Sequence, residues 1–274
     1  MPPTGSLKRK RSSASNLPVS MEQTIVTVTV GPNGTPFNFH RGLLCRCSGF
    51  FRGAFKGSFK EAGDRSVHLD DVSVLTMQQF MQWIYNSAFL TGPATIASFN
   101  GPSHELLTPD EMLDLYVFAD RYEIVTLRND IVYALRVVMY NVQTGSYGKD
   151  LPLAFVERAY ERLPHTSTLC KWLRWHMSVM WAPDLMDEDV EKYAYLPASF
   201  LLGVAVHCRM RIEWAEDKEV SAHDESLVAV EQFRLGCEFH EHEQAGVCPG
   251  KGVPESDVSK LNFTWLMKSK LSLQ

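Results

Sequence analysis

Four residues near the C-terminal end of the sequence have side chains that bind transition metals. They are Cys237, His240, His242 and Cys248, within the segment CEFHEHEQAGVC. Two thiolates and two imidazoles form a ligand set that tetrahedral zinc prefers, and a His-x-His pair on an extended chain places both rings on one side. Four protein ligands leave no position for a reactive water, so the predicted zinc is structural. It would clip together a short segment with little core of its own.

A metal-free segment is the alternative interpretation of these four residues. Their spacing differs from that of the common paired zinc knuckles, and free thiols beside surface histidines are frequent in proteins. A metal-dependent hydrolase centred on residues 237–248 is disfavoured, because the sequence offers no carboxylate general base with a supporting pocket. We therefore expect no enzyme and no catalytic residues.

A compact basic run, Lys8, Arg9, Lys10 and Arg11, lies in a Ser/Pro-rich tail that covers residues 1–20. The tail has almost no large apolar side chains to offset the entropy of ordering, so we expect it to be disordered. An exposed basic cluster of this kind can be bound by a nuclear import receptor, and a solvated tail is the plain alternative. The expected localisation is the nucleus, the cytoplasm or both.

Composition narrows the classes of partner. The chain has 274 residues, 45% of them hydrophobic, and a formal net charge of −5, so it lacks the broad basic field that direct nucleic-acid binding requires. Six cysteines and the absence of a secretory pattern at the start favour a reducing compartment. The longest apolar runs are far shorter than the ~20 residues of a membrane-spanning helix, so we expect a soluble protein without a membrane partner.

The elements that must position these residues begin with a hairpin. Residues 24–30 (TIVTVTV) alternate valine with threonine, which is typical of a half-buried strand. A Gly-Pro-Asn-Gly turn follows, and residues 35–39 resume the alternation. Residues 67–69 (VHL) predict a short third strand.

Helical spacing follows the hairpin and the third strand. Two short helices are predicted after the hairpin, with Ser48 as the N-cap of the second, and an amphipathic helix is predicted after Ser73. Residues 86–107 are interpreted as an inserted loop. Thr108 then begins a helix with a capping box, and Thr126 is predicted to cap the next one.

These elements resemble those of the BTB/POZ family, in which a strand hairpin leads into a helix that starts with His-Lys or His-Arg. An aromatic pair, a final strand and a helix ending in an aromatic residue follow, and a helical hairpin closes the domain. The segment LDLYVFADRYEIVTLRNDIVYAL is similar to that closing hairpin. The other landmarks are Phe37, Phe39, His40, Arg41, Leu43, Leu44, Ser48, Phe50, Phe51, Phe55, residues 67–69, Phe80, Ile84 and Tyr85.

The resemblance implies an α+β BTB/POZ fold, a small sheet flanked by helical hairpins, and a function in protein-protein interaction. Members of the family self-associate or dock on the cullin scaffold of a ubiquitin ligase. The cullin-binding members carry a hydrophobic-x-Glu motif after the phenylalanine-containing helix, and Phe59-Lys60-Glu61 occupies that place here. An exposed aromatic can fill a groove on a partner while the carboxylate fixes the register. The alternative is that Phe59 covers the domain's own core and Glu61 is a solvated charge.

The predicted organisation has four parts. They are the tail (1–20), the BTB/POZ domain (21–142), an α-helical extension (145–235) and a C-terminal segment with the candidate zinc clip (236–274). The helix that some members exchange between protomers is not expected before the first strand, because the tail occupies that place. In the extension, Phe155, Leu169 and Pro197 lie in predicted helices, and His176 is interpreted as a core or edge histidine.

Two hypotheses of function follow. The first is an adaptor that self-associates or docks on a cullin, and that recruits an unidentified client through the extension or the C-terminal segment. The second is a nuclear scaffold or transcription-associated regulator that uses the domain only for self-association. The segments GSFKE and LLCRCS are typical of fungal members of the family.

Overall fold

The computed structural model describes residues 24–89, 107–141, 146–147, 151–181, 191–218 and 241. The strands are β1 (Ile25–Val30), β2 (Thr35–His40), β3 (Ser66–Leu69), β4 (Tyr140–Asn141) and β5 (Ser146–Tyr147). The first six helices are α1 (Arg41–Cys47), α2 (Gly49–Lys56), α3 (Lys60–Asp64), α4 (Val74–Phe89), α5 (Pro109–Arg121) and α6 (Val125–Met139). They are followed by α7 (Leu153–Arg162), α8 (Thr168–Met180) and α9 (Ala198–Lys218). The predicted α+β class is confirmed.

The main sheet has three strands in the order β2-β1-β3. The predicted hairpin is present, with β2 antiparallel to β1 and Val28 opposite Phe37, while β3 runs parallel to β1 on its other edge. Gly31 and Gly34 have φ values of 68° and 61° in the turn, where a side chain with a Cβ would be strained. The alternating valines of β1 are buried on one side, as their period of two predicts.

Ser48 joins α1 to α2 and ties both helices to the end of α5. Its hydroxyl accepts a hydrogen bond from the backbone N–H of Phe51 at 3.1 Å and donates one to the carbonyl of Tyr122 at 2.6 Å. The predicted N-cap is therefore confirmed, and it has a second role that connects residues distant in sequence.

An aromatic cluster forms the centre of the core between the sheet and the helices. The fully buried Phe80 of α4 has its ring centroid 5.0 Å from Phe118, 5.7 Å from Phe39 and 6.3 Å from Phe51. These rings come from α5, β2 and α2, so one side chain holds four elements together.

The helical hairpin α5–α6 begins with the predicted capping box. The Thr108 hydroxyl accepts from the N–H of Glu111, whose carboxylate accepts from the N–H of Thr108 at 2.8 Å. The prediction that Thr126 caps α6 was wrong, because the helix begins one residue before it. Glu123 has a φ of 55° and reverses the chain, and the N–H of Arg128 already bonds to the carbonyl of residue 124.

Three further features differ from the predictions. α3 was not predicted, because it has only five residues and none of them is buried, so no periodicity marks it. The two-residue strands β4 and β5 are also too short to produce a pattern. α4 continues to residue 89, beyond the predicted start of the loop at residue 86. Most of that predicted loop, residues 90–106, lies outside the described residues.

The predicted helices of the extension are present as α7, α8 and α9; α7 and α8 pack against the first half of the chain, and α9 packs against α8. Arg158 and Arg162 of α7 form ion pairs with Asp110 and Asp114 of α5. The backbone N–H of Leu169 in α8 donates to the Tyr116 hydroxyl at 3.2 Å. The predicted boundary between the two halves, residues 142–145, lies outside the described residues.

Both halves contribute to one continuous hydrophobic core. Trp172 and His176 of α8 are fully buried, with ring centroids 4.9 Å apart, which confirms the interpretation of His176 as a core histidine. Burial lowers the pKa of His176 to about 4, because the imidazolium ion is poorly solvated there. None of the helices described above is long and apolar enough to span a bilayer.

Candidate protein-binding surface

The α3 surface is defined here as Phe59, Lys60 and Glu61, and two residues separate it from the end of α2. Phe59 immediately precedes α3, and its side chain is 65% exposed. Its ring lies over Gly57, where a Cβ would come within 3.0 Å of the ring. By contrast, Phe55 at the end of α2 is 2% exposed and belongs to the core. The aromatic ring of Phe59 therefore lies on the outside of the domain.

Glu61 lies in the first turn of α3 and is partly exposed. The ammonium nitrogen of its neighbour Lys60 lies 3.9 Å from a carboxylate oxygen of Asp64 and thus pairs with a different residue. Within the part of the chain that the structure describes, no cation is paired with Glu61. An aromatic ring and a carboxylate two residues apart are thus both available to a partner.

The base beneath the α3 surface is well packed. Phe51 and Phe55 of α2 stack with a centroid distance of 6.2 Å, and the Ser48 hydrogen bonds fix the start of that helix. Such support holds the exposed groups in place before a partner arrives, which reduces the entropy lost on binding. Chemically, the surface can provide an apolar anchor and a directed acceptor.

A cleft of about 320 Å³ lies between the start of α4, α5 and the end of α7. Arg121 and Arg162 line it, and each is already paired with a lining carboxylate, Asp71 and Asp114 respectively. The charges cancel within the cleft. It therefore provides no concentrated charge that would bind an ionic substrate.

A second polar cluster was not predicted from the sequence. Arg128 of α6 is 8% exposed, and its guanidinium pairs with the carboxylate of Glu241, 113 positions further along the chain. Asp120 lies 3.6 Å from the same guanidinium, and burial raises the pKa of this carboxyl. The sequence shows three charged residues here but carries no local signal that they meet.

The remaining predicted site residues lie outside the described residues. These are the basic run and the zinc candidates: Lys8, Arg9, Lys10, Arg11, Cys237, His240, His242 and Cys248. Among the residues that the structure does describe, no group of three or more His, Cys, Asp or Glu residues could hold a metal ion. The import run and the zinc clip stay predictions.

Comparison with known proteins finds a family match for the first half of the chain. Residues 19–136 match the family model of the BTB/POZ domain. Kelch repeat and BTB domain-containing protein 4 of Mus musculus is 28% identical over 125 residues, and the Homo sapiens protein of the same name is 27% identical over the same length. Each alignment covers 46% of this chain and 20% of the relative. The chain therefore matches about a fifth of the length of these relatives. The match to the family model, together with the observed elements, confirms the BTB/POZ fold.

Proposed function

Because residues 19–136 form a BTB/POZ domain, which is a protein-interaction module, we propose that the chain acts as an adaptor and not as an enzyme. In this proposal the domain self-associates or docks on a cullin scaffold, and the helical half or the C-terminal segment recruits a client protein. The observation that supports it most directly is the exposed Phe59 followed two residues later by the unpaired carboxylate of Glu61.

The two residues would have different roles in docking. Burying the exposed part of an aromatic side chain in a partner groove contributes about 2 kcal/mol, so Phe59 supplies most of the affinity. Glu61 accepts hydrogen bonds from the partner and sets the register, because a misplaced carboxylate would be buried without a donor. Lys60 lies between them and has a side chain 87% exposed. We expect it to make no essential contact.

The test is a binding titration between the full chain and the N-terminal region of a cullin scaffold, measured by biolayer interferometry. Phe59→Ala should weaken binding by about 30-fold, which corresponds to a loss of roughly 2 kcal/mol. Glu61→Gln keeps the shape but removes the charge, and it should weaken binding by about tenfold.

Lys60→Ala is the matched control, since it changes an exposed residue of the same short helix. It should bind within threefold of the unmodified chain. If the unmodified chain does not bind, docking on the cullin is excluded; if Phe59→Ala binds as tightly as the unmodified chain, docking through the α3 surface is excluded. A role as a self-associating scaffold would then be favoured, and light scattering of the full chain would have to show a mass above that of one chain.

The location of the protein belongs to the same proposal. Lys8 to Arg11 would direct an adaptor or a scaffold to the nucleus, and without import the protein would act in the cytoplasm. Imaging a fluorescent fusion in which all four residues are replaced with alanine distinguishes the nuclear from the cytoplasmic location, because import through this run predicts a smaller nuclear fraction for the variant. An unchanged nuclear fraction would contradict import through this run.

The zinc clip and the fungal type are the remaining finer proposals. Elemental analysis of chain purified without added zinc should find one zinc per chain, and Cys237→Ser with Cys248→Ser should remove it. A ratio well below one in the unmodified chain would contradict the clip. The fungal type predicts closer relatives among fungal sequences than among the mammalian ones.

A further inference from the structure

Glu241 is bound by side chains from two helices on either side of the junction between the domain and the extension. Nε of Arg128 donates to one carboxylate oxygen at 2.7 Å, and Nη2 of the same residue donates to the other oxygen. The hydroxyl of Thr168, the first residue of α8, donates to the first oxygen at 3.3 Å. The carboxylate thus receives a two-pronged contact with a buried cation, which is the strongest common form of carboxylate recognition.

Asn129 binds the backbone of the same residue. Its side-chain amide donates to the carbonyl of Glu241 at 2.9 Å and accepts from the N–H of Glu241 at 2.8 Å. One amide therefore satisfies both backbone groups, as a neighbouring strand would. This contact is independent of the identity of the bound side chain, because it involves only groups that every non-proline residue has.

The Arg128 socket, defined as Arg128, Asn129 and Thr168, is held in position by its surroundings. Nη1 of Arg128 donates to the carbonyl of Ala119 at 3.2 Å and lies 3.6 Å from a carboxylate oxygen of Asp120. These contacts fix the direction of the guanidinium without occupying the two N–H groups that face Glu241. The guanidinium is therefore held by contacts other than those with Glu241, which reduces the entropy lost when a carboxylate binds.

We propose that the Arg128 socket is a peptide-binding site, and that it recognises a glutamate in an exposed acidic segment. In this chain the site is occupied by the chain's own Glu241. An acidic segment of a partner protein binds the same site after displacing Glu241. The socket binds one carboxylate and the backbone of the residue that carries it. A glutamine in place of the glutamate therefore loses the charge-assisted contact with Arg128. The site lies on α6 and α8, not on α3, and it goes beyond the proposed contact with the cullin scaffold.

Occupation within the chain makes the site self-blocking. A tethered ligand has an effective concentration in the millimolar range, so an external segment of equal affinity competes poorly. Glu241→Ala removes the carboxylate contacts with Arg128 and Thr168 and leaves only the Asn129 contact to the backbone, so an external peptide that offers a glutamate should displace the chain's own segment. This difference is the basis of the test.

The test uses the full-length Glu241→Ala chain and a fluorescent peptide of residues 238–246 (EFHEHEQAG), measured by anisotropy in the presence of a chelator. The chelator prevents a metal from bridging the peptide histidines to the protein. We expect the peptide to bind Glu241→Ala at least tenfold more tightly than it binds the unmodified chain. Changing Glu241→Gln within the peptide should weaken binding by tenfold or more.

The matched control is Glu243→Gln within the peptide, which removes the same charge two residues away and should change binding less than threefold. Adding Asn129→Ala to the Glu241→Ala chain should abolish binding if the backbone contact is used. Equal binding of all three peptides would overturn the proposal, since charge alone would then explain it. No binding to a Glu241→Ala chain that circular dichroism shows to be folded would overturn it as well, as would equal binding to the unmodified chain.

Discussion

The α3 surface and the Arg128 socket present opposite arrangements of similar groups. At the α3 surface an aromatic ring and a carboxylate are exposed, and no described residue neutralises the charge of Glu61. At the socket a cation is almost fully buried, and its partner comes from the same chain. The two sites therefore differ in pairing: Glu61 has no paired cation among the described residues, whereas Arg128 is already paired with a carboxylate of the same chain.

The energetic consequence of removing each group follows from this difference. Truncating an exposed ring removes few contacts within the protein, so the free energy of unfolding changes little. A buried guanidinium that loses its carboxylate, or the reverse, leaves an uncompensated charge or donor in a poorly solvated place. Substitutions should therefore separate binding from stability at α3 but couple them at the socket.

Among the charged groups, the largest effect should come from Arg128→Met, which keeps most of the side-chain length and removes the charge. We expect the free energy of unfolding to fall by about 3 kcal/mol, because the carboxylates of Asp120 and Glu241 lose their shared partner. The value lies at the lower end for buried pairs, since the Glu241 side chain is 32% exposed. Urea denaturation followed by fluorescence measures it.

Arg162→Met is the matched control for that substitution. Arg162 also forms an ion pair, with Asp114, but their side chains are 39% and 51% exposed. Solvent screens such a pair, so the loss should be below about 1 kcal/mol. If both variants lose the same amount, the socket is no more important to folding than a surface pair, and the comparison fails.

Features set by neighbouring residues could be predicted from the sequence. The capping box of Thr108 and Glu111 spans three positions, and the alternation of β1 and the cap of Ser48 are equally local. The hairpin and the helices of both halves followed from such patterns, whereas the place of the hydrophobic-x-Glu motif was implied only by the resemblance to the BTB/POZ family. The prediction of Thr126 as the N-cap was wrong by two residues, because α6 begins at Val125 and the residue before it is Ile124.

Features that join distant residues could not be predicted. The parallel pairing of β3 with β1 depends on the path of the helices between them, and no periodicity encodes it. The contact between Arg128 and Glu241 joins residues that each look like ordinary surface charges in sequence. For the α3 surface the sequence supplied the residues, but only packing decided that Phe55 is buried and Phe59 exposed.

The second prediction concerns His176, on the same helix as Thr168 of the socket. Its pKa is lowered to about 4 in the folded state against 6.5 ordinarily, so only the unfolded chain binds the proton between these values. Stability should fall as the pH drops from 7 to 5, by about 2 kcal/mol from this residue. His176→Gln should remove that part of the pH dependence, as urea titrations at both pH values would measure.

Asp130 acts in the opposite direction, which is why the comparison must be between variants. Burial raises its pKa to about 6, so the folded state takes up a proton first and gains stability as the pH falls below that value. The contribution of Asp130 is the same in the unmodified chain and in His176→Gln, so it cancels when the pH dependence of one is subtracted from that of the other. An equal loss in His176→Gln and the unmodified chain would mean that α8 is not packed as described. His165→Gln, at an exposed position, should follow the unmodified chain.

The third prediction tests the support beneath the α3 surface. Ser48→Ala removes the N-cap of α2 and leaves the buried carbonyl of Tyr122 without its donor. Unfolding should become easier by about 1.5 kcal/mol. Ser199→Ala, at an exposed position in the first turn of α9, should change stability by less than about 0.5 kcal/mol. If the two variants do not differ, the link between α2 and α5 contributes nothing to folding.

The smallest expected effect on stability belongs to Phe59→Ala, and it is the most informative for the comparison. Because the ring is 65% exposed, its loss should change the free energy of unfolding by less than about 0.5 kcal/mol. Phe55→Ala, four residues earlier and 2% exposed, should cost about 3–5 kcal/mol through the cavity that it leaves. A large destabilisation by Phe59→Ala would mean that the ring belongs to the core, and any loss of partner binding would then reflect unfolding. A negligible one, together with lost binding, leaves contact with the partner as the role of this side chain.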